Sequence, residues 1–354
     1  MRFLVTGGCG FIGSHLINYL INELNYEVMN IDNLSYASNN FFLDSASKSE
    51  NYKFLKVDIL DEENVSKVYN TYKPHKIMHL AAETHVDRSI DNPDQFIQTN
   101  IIGTYNLLKI SLDYFNNLPN EKKEIFTFHH ISTDEVFGDL ANSSDLFQEN
   151  SRYDPSSPYS ASKASSDHLV NAWNKTYKLP ILISNCSNNY GPNQYAEKLI
   201  PLIIFRAINN ESLPVYGDGA QIRDWLYVED HVKALVEISI HSKKNEYYNI
   251  GANNEISNID VIKKICEVLD ELFPSNLVKN YSELIEFVDD RPGHDRRYAI
   301  DNSKIKKYLK WEPAETFETG IRKTILWYLE NREIFTNIND VQSMTKRRGL
   351  KNNA

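Results

Sequence analysis

Four glycines, Gly7, Gly8, Gly10 and Gly13, fall within TGGCGFIG (6–13), between an apolar run that reads as a strand, Phe3 to Thr6, and one that reads as a helix, FIGSHLINYLI. Glycine clusters also occur in ordinary turns, so the letters alone decide little. The strand before and the helix after supply the context that a dinucleotide-binding turn requires. In that context Gly7, Gly10 and Gly13 let the backbone close on a pyrophosphate, whose charge is met by unpaired N–H groups at the helix start. Asp32 ends the next strand-like run at the spacing where a carboxylate accepts from both hydroxyls of an adenine ribose. The same carboxylate repels a 2′-phosphate, so the expected cofactor is NAD rather than NADP; the plainer reading makes Asp32 a turn cap. Asp58, closing YKFLKVDI, is placed either to touch the adenine edge or to cap the helix that follows.

The rhythm continues along the chain. Short runs rich in Val, Ile and Phe, at Glu27 to Asp32, Lys53 to Val57, Lys76 to Ala81, Ile125 to Ser132 and Pro180 to Cys186, alternate with longer amphipathic segments. Strand followed by helix predicts a parallel sheet covered on both faces, an α/β fold of the doubly wound Rossmann type. We expect residues 1–190 to form this NAD-binding domain, with a return at 225–250 through LYVEDHVKALVEIS and YYNIGA. The Gly- and Pro-punctuated stretch 191–335, with helices at Ile259 to Leu272 and Phe317 to Tyr328, is expected to form mostly a smaller substrate-binding α/β lobe. Residues 336–354, which include TKRRGLKNNA, read as a flexible tail. A chain of 354 residues has room for both units and for a core that needs no staples.

Several function classes drop out. A formal net charge of -10 with no dense basic stripe argues against a nucleic-acid partner. The longest apolar stretches, such as LIPLIIF, fall far short of the roughly 20 residues a spanning helix needs, so no membrane association is expected. The N-terminus opens on RFLVTGG without the features of a secretory signal. Cys9, Cys186 and Cys266 stand far apart, forming neither a disulfide framework nor a zinc knuckle, which suits a reducing, cytoplasmic compartment. His85, His129 and His130 lack metal-ligand spacing and read as packing or supporting residues; no metal is called for.

Chemistry concentrates in two places. HHISTDEVFG (129–138) closes a strand-like run and delivers Thr133, Asp134 and Glu135 side by side. Carboxylates held so close cannot easily both ionise, which pushes their pKa values apart and suits one to be an acid and the other a base. Taken alone, such a pair is more often solvated or capping. PYSASK (158–163) sets Tyr159 and Lys163 four apart in a segment that reads as helix after Pro158, so both project from one face. A phenol with pKa about 10 is a poor base, but an adjacent ammonium favours its phenolate, and together they can take a proton from an alcohol. On a helix surface this pair is common; downstream of a dinucleotide turn it reads as catalytic.

These motifs together resemble the extended short-chain dehydrogenases/reductases, and within them the dTDP-glucose 4,6-dehydratases. The likeness rests on TGGCGFIG, Asp32, AAETHVDRSI, HHISTDEVFGD, PSSPYSASKASSDHLV, NCSNNYGP, EKLIPL, RDWLYVEDH and DRPGHDRRYAID, and runs from the first strand to about Trp311. It implies a reaction on a nucleotide-diphosphate hexose. Removing hydride from C4 gives a ketone that acidifies the C5 hydrogen; a base at C5 and an acid at the C6 hydroxyl then expel water. Hydride returns to C6, leaving a 4-keto-6-deoxy sugar and no consumed cofactor. The resemblance implies Asp134 as the acid, Glu135 as the base, and Thr133 beside Tyr159 at the C4 oxygen.

It also extends the NAD contacts to Phe11, Ile12, Asn33, Ile59, Leu80, Ala81, Ala82, Thr99, Tyr159, Lys163 and Asn189. It sets Thr84, Thr133, Asn188, Lys198, Leu199, Tyr216, Arg223, Asn258, Arg291 and His294 against the substrate. Arg223 and Arg291 suit a diphosphate because guanidinium forks bind phosphate oxygens bidentately; otherwise Arg223 pairs with Asp224 or Asp230, and Arg291 with Asp289 or Asp295. Two departures stand out: Phe137 occupies a position where the family often has tyrosine, and Leu140 to Ser157 is short. A homodimer through the segments after Asn100 and after Tyr159 is implied as well. Open alternatives are a UDP-glucose 4,6-dehydratase, a nucleotide-sugar 4-epimerase, which needs no acid and base for dehydration, and an NAD-binding regulator without turnover.

Overall fold

The structure, a computed structural model, describes residues 1–141 and 143–333. The tail expected over 336–354 lies outside the described residues. In chain order the strands are β1 (Arg2–Thr6), β2 (Glu27–Asp32), β3 (Tyr52–Lys56), β4 (Lys76–His79), β5 (Thr127–Thr133), β6 (Ile181–Cys186), β7 (Asn188–Tyr190), β8 (Leu213–Tyr216), β9 (Ile222–Tyr227), β10 (Glu246–Ile250), β11 (Glu255–Ser257) and β12 (Ile285–Val288). Seven of them form one sheet in the order β3-β2-β1-β4-β5-β6-β10, and every pairing within it is parallel. The order reverses between β1 and β4. Open α/β sheets bind ligands in the crevice outside the carboxyl ends of their strands at such a switch point, and Thr6, Asp32, Thr133 and Cys186 all stand at those ends.

Helices cover both faces because each has one apolar side. On one face the helix Phe11–Asn18 (α1) and the helix Val228–His241 bury Leu16, Ile17, Val232, Leu235, Val236 and Ile238. On the other, the helices Glu62–Tyr72, Thr104–Asn116 and Pro158–Tyr177 bury Val65, Val68, Tyr69, Leu107, Leu108 and Val170. Among the described residues no helix is long and apolar enough to cross a membrane.

The segment LYVEDHVKALVEIS divides. Its first residues, Leu226 and Tyr227, end β9 in a three-stranded sheet, β11-β9-β7, and the rest is the helix that covers the large sheet. YYNI supplies β10. Ile305 and Trp311 also pack into the first core, so late segments return to it more than once. A separate core gathers Tyr190, Ile203, Ile204, Trp225, Ile265, Leu269, Phe317 and Ile325 from the helices Leu199–Ile208, Asn258–Leu272 and Phe317–Glu330 and the small sheets.

β5 runs from Thr127 to Thr133, two residues later at its start than the apolar pattern suggests, because Ile125 ends a short helix, Asn120–Ile125. All seven of its residues are buried although two are histidines. The His129 ring pairs with Ser239 Oγ at 2.8 Å and Ser184 Oγ at 3.0 Å, so a buried polar ring is satisfied within the core, as a packing residue must be.

Candidate active site

The cofactor side is built by the first turn. Gly10 caps α1 without any side-chain hydrogen bond, so the first-turn N–H groups at Phe11, Ile12 and Gly13 have no intrahelical partner. Gly10 N–H donates to Gly7 O at 3.2 Å, closing the turn. A Cβ on Gly13 would stand 2.2 Å from Gly7 O and 2.7 Å from Gly8 Cα, so the close approach of helix to turn excludes any side chain there. Asp32 accepts from Cys9 N–H at 2.9 Å, Leu34 N–H at 2.8 Å and Ser38 Oγ at 3.0 Å. It is therefore a turn cap and a cavity residue at once, since a carboxylate has about four acceptor directions. Asp58 accepts from Leu60 N–H and Asn33 Nδ2, both at 2.9 Å; the helix beyond it is capped instead by Asp61, which accepts from Asn64 N–H at 3.0 Å.

One cavity is lined by Gly7, Gly10, Phe11, Ile12, Gly13, Asp32, Asn33, Asp58, Ile59, Leu80, Ala81, Ala82, Thr99, Tyr159, Lys163 and Asn189. A turn with no room for a Cβ, an uncapped helix start and a carboxylate at the end of β2 fit a dinucleotide with a pyrophosphate and a free ribose 2′-hydroxyl. Gly13→Ala is expected to weaken NAD binding by at least about tenfold, measured by calorimetric titration; unchanged affinity would contradict this fit.

The same cavity takes in Thr133, Asp134 and Glu135. Thr133 is the last residue of β5, and its Oγ1 accepts from Glu135 N–H at 3.3 Å, starting the tight turn Asp134–Phe137. Gly138 ends that turn at φ +90°, where a Cβ would also stand 2.4 Å from Asp154 O. The two carboxyls are thus fixed at the strand's end. Tyr159 and Lys163 arrive from the helix Pro158–Tyr177, whose start is set by Pro158 in its first turn and by a reciprocal cap in which Ser157 Oγ accepts from Ser160 N–H at 3.1 Å and Ser160 Oγ accepts from Ser157 N–H at 3.0 Å.

Burial first, then the charges of Glu135 and Asp224, push the Asp134 carboxyl well above the usual carboxylate range. Its Oδ2 is buried without a hydrogen-bond partner. Burial also raises Glu135, but Arg291, Arg223 and Lys198 pull it back. Both carboxyls are thus raised, Asp134 well above its ordinary value, and desolvation is the leading cause for each rather than their mutual repulsion.

Burial and the Glu135 charge raise Tyr159 well above its ordinary value, opposed by a hydrogen bond with Thr133, while Lys163 Nζ donates to Ile131 O at 2.9 Å. Lys163 is buried four residues along the same helix and is held to β5 by that bond.

On the substrate side Thr84, Asn188 and Lys198 line the cavity with Thr133. Lys198 Nζ donates to Thr84 O at 2.8 Å, and Asn188 Oδ1 is buried without a partner. Leu199, Tyr216, Arg223, Asn258, Arg291 and His294 lie outside that lining. Arg223 pairs with neither aspartate considered above: its guanidinium donates to Ile222 O at 2.7 Å and Asp295 O at 2.9 Å and stacks 4.2 Å over the Tyr298 ring. Arg291 pairs with Asp87 at 2.6 Å, and Tyr216 OH reaches the other Asp87 oxygen at 3.4 Å. His294 lies 2.6 Å from Asp290. Asn258 opens the helix Asn258–Leu272, its N–H donating to Gln221 O at 2.9 Å. Leu199 begins the helix Leu199–Ile208 and is half-buried.

Two residues within the motifs AAETHVDRSI and EKLIPL gain partners that no spacing reveals. Asp87 ties Arg291 and Tyr216 to the first lobe from 204 and 129 positions away. Glu197, which lines the cavity, accepts from Arg88 at 2.8 Å and Tyr36 at 2.9 Å. Phe137 is buried in an apolar cluster with Val136, Ala164 and Ile300 and stacks on Phe147 at 5.2 Å, so no partner for a phenol hydroxyl is needed there.

A family model described as GDP-mannose 4,6 dehydratase matches residues 4–324. A dTDP-glucose 4,6-dehydratase of Escherichia coli is 54% identical over 360 residues, 99% of each chain. The chain belongs to the dTDP-glucose 4,6-dehydratase family. A crystal structure of a dTDP-glucose 4,6-dehydratase from Bacillus anthracis in complex with NAD superimposes with TM-score 0.82 at 40% identity, covering 94% of this chain and 98% of that one. A UDP-glucose 4-epimerase from Thermotoga maritima reaches TM-score 0.81 at 29% identity, covering 94% and 100%. Backbone shape alone therefore does not separate this dehydratase family from epimerases, and the carboxyls at the end of β5 have to.

Proposed function

We propose that the chain binds NAD and converts dTDP-glucose to dTDP-4-keto-6-deoxyglucose and water. The observation that carries this reading is the pair of adjacent carboxyls at the end of β5, one buried with an unpartnered oxygen and the other opposed by three cations, in one cavity with Tyr159. A 4-epimerase needs the Tyr and Lys but no proton donor at C6.

Bound NAD supplies a positively charged hydride acceptor that gives the hydride back within the same turnover. Tyr159 takes the C4 hydroxyl proton, and Thr133, hydrogen-bonded to the phenol, holds the C4 oxygen in place. With C4 a ketone, Glu135 removes the C5 proton while Asp134 gives its proton to the C6 oxygen, which leaves as water; C5 is then reprotonated. The assignment follows the environments. Burial raises both carboxyls, Asp134 well above its ordinary value, which suits it to donate a proton, whereas the charges of Arg291, Arg223 and Lys198 favour the Glu135 anion. The same three cations serve a diphosphate.

Parallel kinetics test the nucleotide: kcat/KM for dTDP-glucose is expected to exceed that for UDP-glucose by at least about tenfold, and equal or reversed values would redirect the reading to UDP-glucose. A cytoplasmic location fits three buried free thiols. We further infer a homodimer, supported by the exposed apolar residues Ile102, Tyr105 and Tyr177 on the two segments implicated above. Gel filtration with light scattering should return twice the chain mass; a single-chain mass would remove the dimer.

A further inference from the structure

We propose that Asp167, which the mechanism above does not use, is a positioning residue: its carboxylate is the counter-charge of Lys163 and ties the strand end that carries Thr133, Asp134 and Glu135 to the helix that carries Tyr159. The inference rests on the dehydratase reading and adds a residue to it.

Asp167 is 2% exposed and stands four residues after Lys163 on the helix Pro158–Tyr177, so the two side chains share a face. They reach consecutive residues of β5. Lys163 Nζ donates to Ile131 O at 2.9 Å, and Asp167 Oδ2 accepts from Ser132 Oγ at 2.9 Å. The same oxygen accepts from Tyr153 OH at 2.9 Å and from Asn185 Nδ2 at 3.2 Å. Asn185 Nδ2 also donates to Thr133 O at 3.0 Å. Residues 131, 132 and 133 are thus bound in turn to Lys163, to Asp167 and, through Asn185, to Asp167 again.

A buried ammonium needs a counter-charge, because a carbonyl dipole alone does not offset its desolvation. The other titratable groups facing the pair do not supply one. His79 from β4 and His130 from β5 are kept neutral by burial, the former held well below its ordinary value and the latter down to about 4. Cys186 from β6 and Tyr247 from β10 are each pushed up to about 12 by burial, and Tyr153 is raised as well. Asp167 differs. Burial raises its carboxyl, yet the His130 contact, Lys163 and Ser132 together bring it below its ordinary value, so it is the charged partner. Burial lowers Lys163, and Asp167 opposes that shift most.

The sign of the pH effect follows. Removing the carboxylate lowers the Lys163 pKa further, so the ammonium is lost at lower pH and the alkaline limb of activity moves toward acid. In Asp167→Asn the alkaline limb of the kcat profile on dTDP-glucose is expected about one pH unit or more below wild type. Tyr153→Phe, which keeps the carboxylate, is expected to leave the limb in place. Asp167→Ser, with room for water to serve the same donors, gives the same reading should Asp167→Asn not fold. An unmoved limb with activity lowered equally at every pH overturns the proposal, as does an equal shift in Tyr153→Phe. Wild-type protein that does not dehydrate dTDP-glucose at any pH would instead defeat the functional reading, before the variants are compared.

Discussion

Replacing Asp134 by Asn together with Glu135 by Gln is expected to lower the rate of water loss by about 10³-fold or more, since each proton transfer contributes about 10²- to 10⁴-fold, while leaving C4 oxidation detectable. Mixing this variant with dTDP-glucose should therefore give an absorbance rise of reduced nicotinamide that persists instead of decaying. Retained dehydration would contradict the roles given to both carboxyls. The same change should stabilise the fold. Asp134 is 1% exposed and its carboxyl is raised well above its ordinary value, so folding takes up a proton once pH exceeds the unfolded pKa of about 3.9. A raised acid therefore costs stability increasingly as pH climbs toward the folded value. The Tm of Asp134→Asn relative to wild type should accordingly grow as pH rises above the unfolded carboxyl value toward the raised folded one, and a flat difference would show that the buried carboxyl carries no such cost. Activity gained at the expense of stability is what a buried catalytic carboxyl predicts.

Tyr159→Phe is expected to act one step earlier. It removes the group that takes the C4 proton, at a cost of about 10²- to 10⁴-fold, while leaving the backbone hydrogen bond from Tyr159 N–H to Ser89 Oγ and the edge contact with Phe96 in place. Stopped-flow traces should show slow formation of reduced nicotinamide and no accumulation, the opposite of the carboxyl variant. Fast formation in Tyr159→Phe would move the base function elsewhere.

How far the sequence reaches depends on whether a residue's partner is near in the chain. The glycine turn, Asp32 and the Tyr159–Lys163 spacing are local patterns, and each cofactor residue named from them lies on one cavity. The alternation of β1 to β6 with helices is local too, and their edges shift by only one or two residues where a neighbouring helix or turn claims them. Charges acting across the fold are not local. The Arg291 partner is Asp87 on the opposite lobe, and Arg223 spends its guanidinium on backbone carbonyls, neither of which any spacing reveals. The setting of Tyr159 shows the same limit: the nearby lysine is visible in the sequence, but the burial of the phenol and the approach of Glu135 are not. Polar letters in β5 look unlike a buried strand until Ser184 and Ser239 are found to satisfy His129, and Asp167 to satisfy Ser132.

In the proposed reaction C5 becomes acidic only after C4 has been oxidised. Turnover of dTDP-glucose in deuterated water, with the product read by NMR and mass spectrometry, tests that directly. The predicted product is a 4-keto-6-deoxyhexose carrying solvent deuterium at C5; a sugar recovered unchanged, or inverted at C4 with no deuterium at C5, would contradict it.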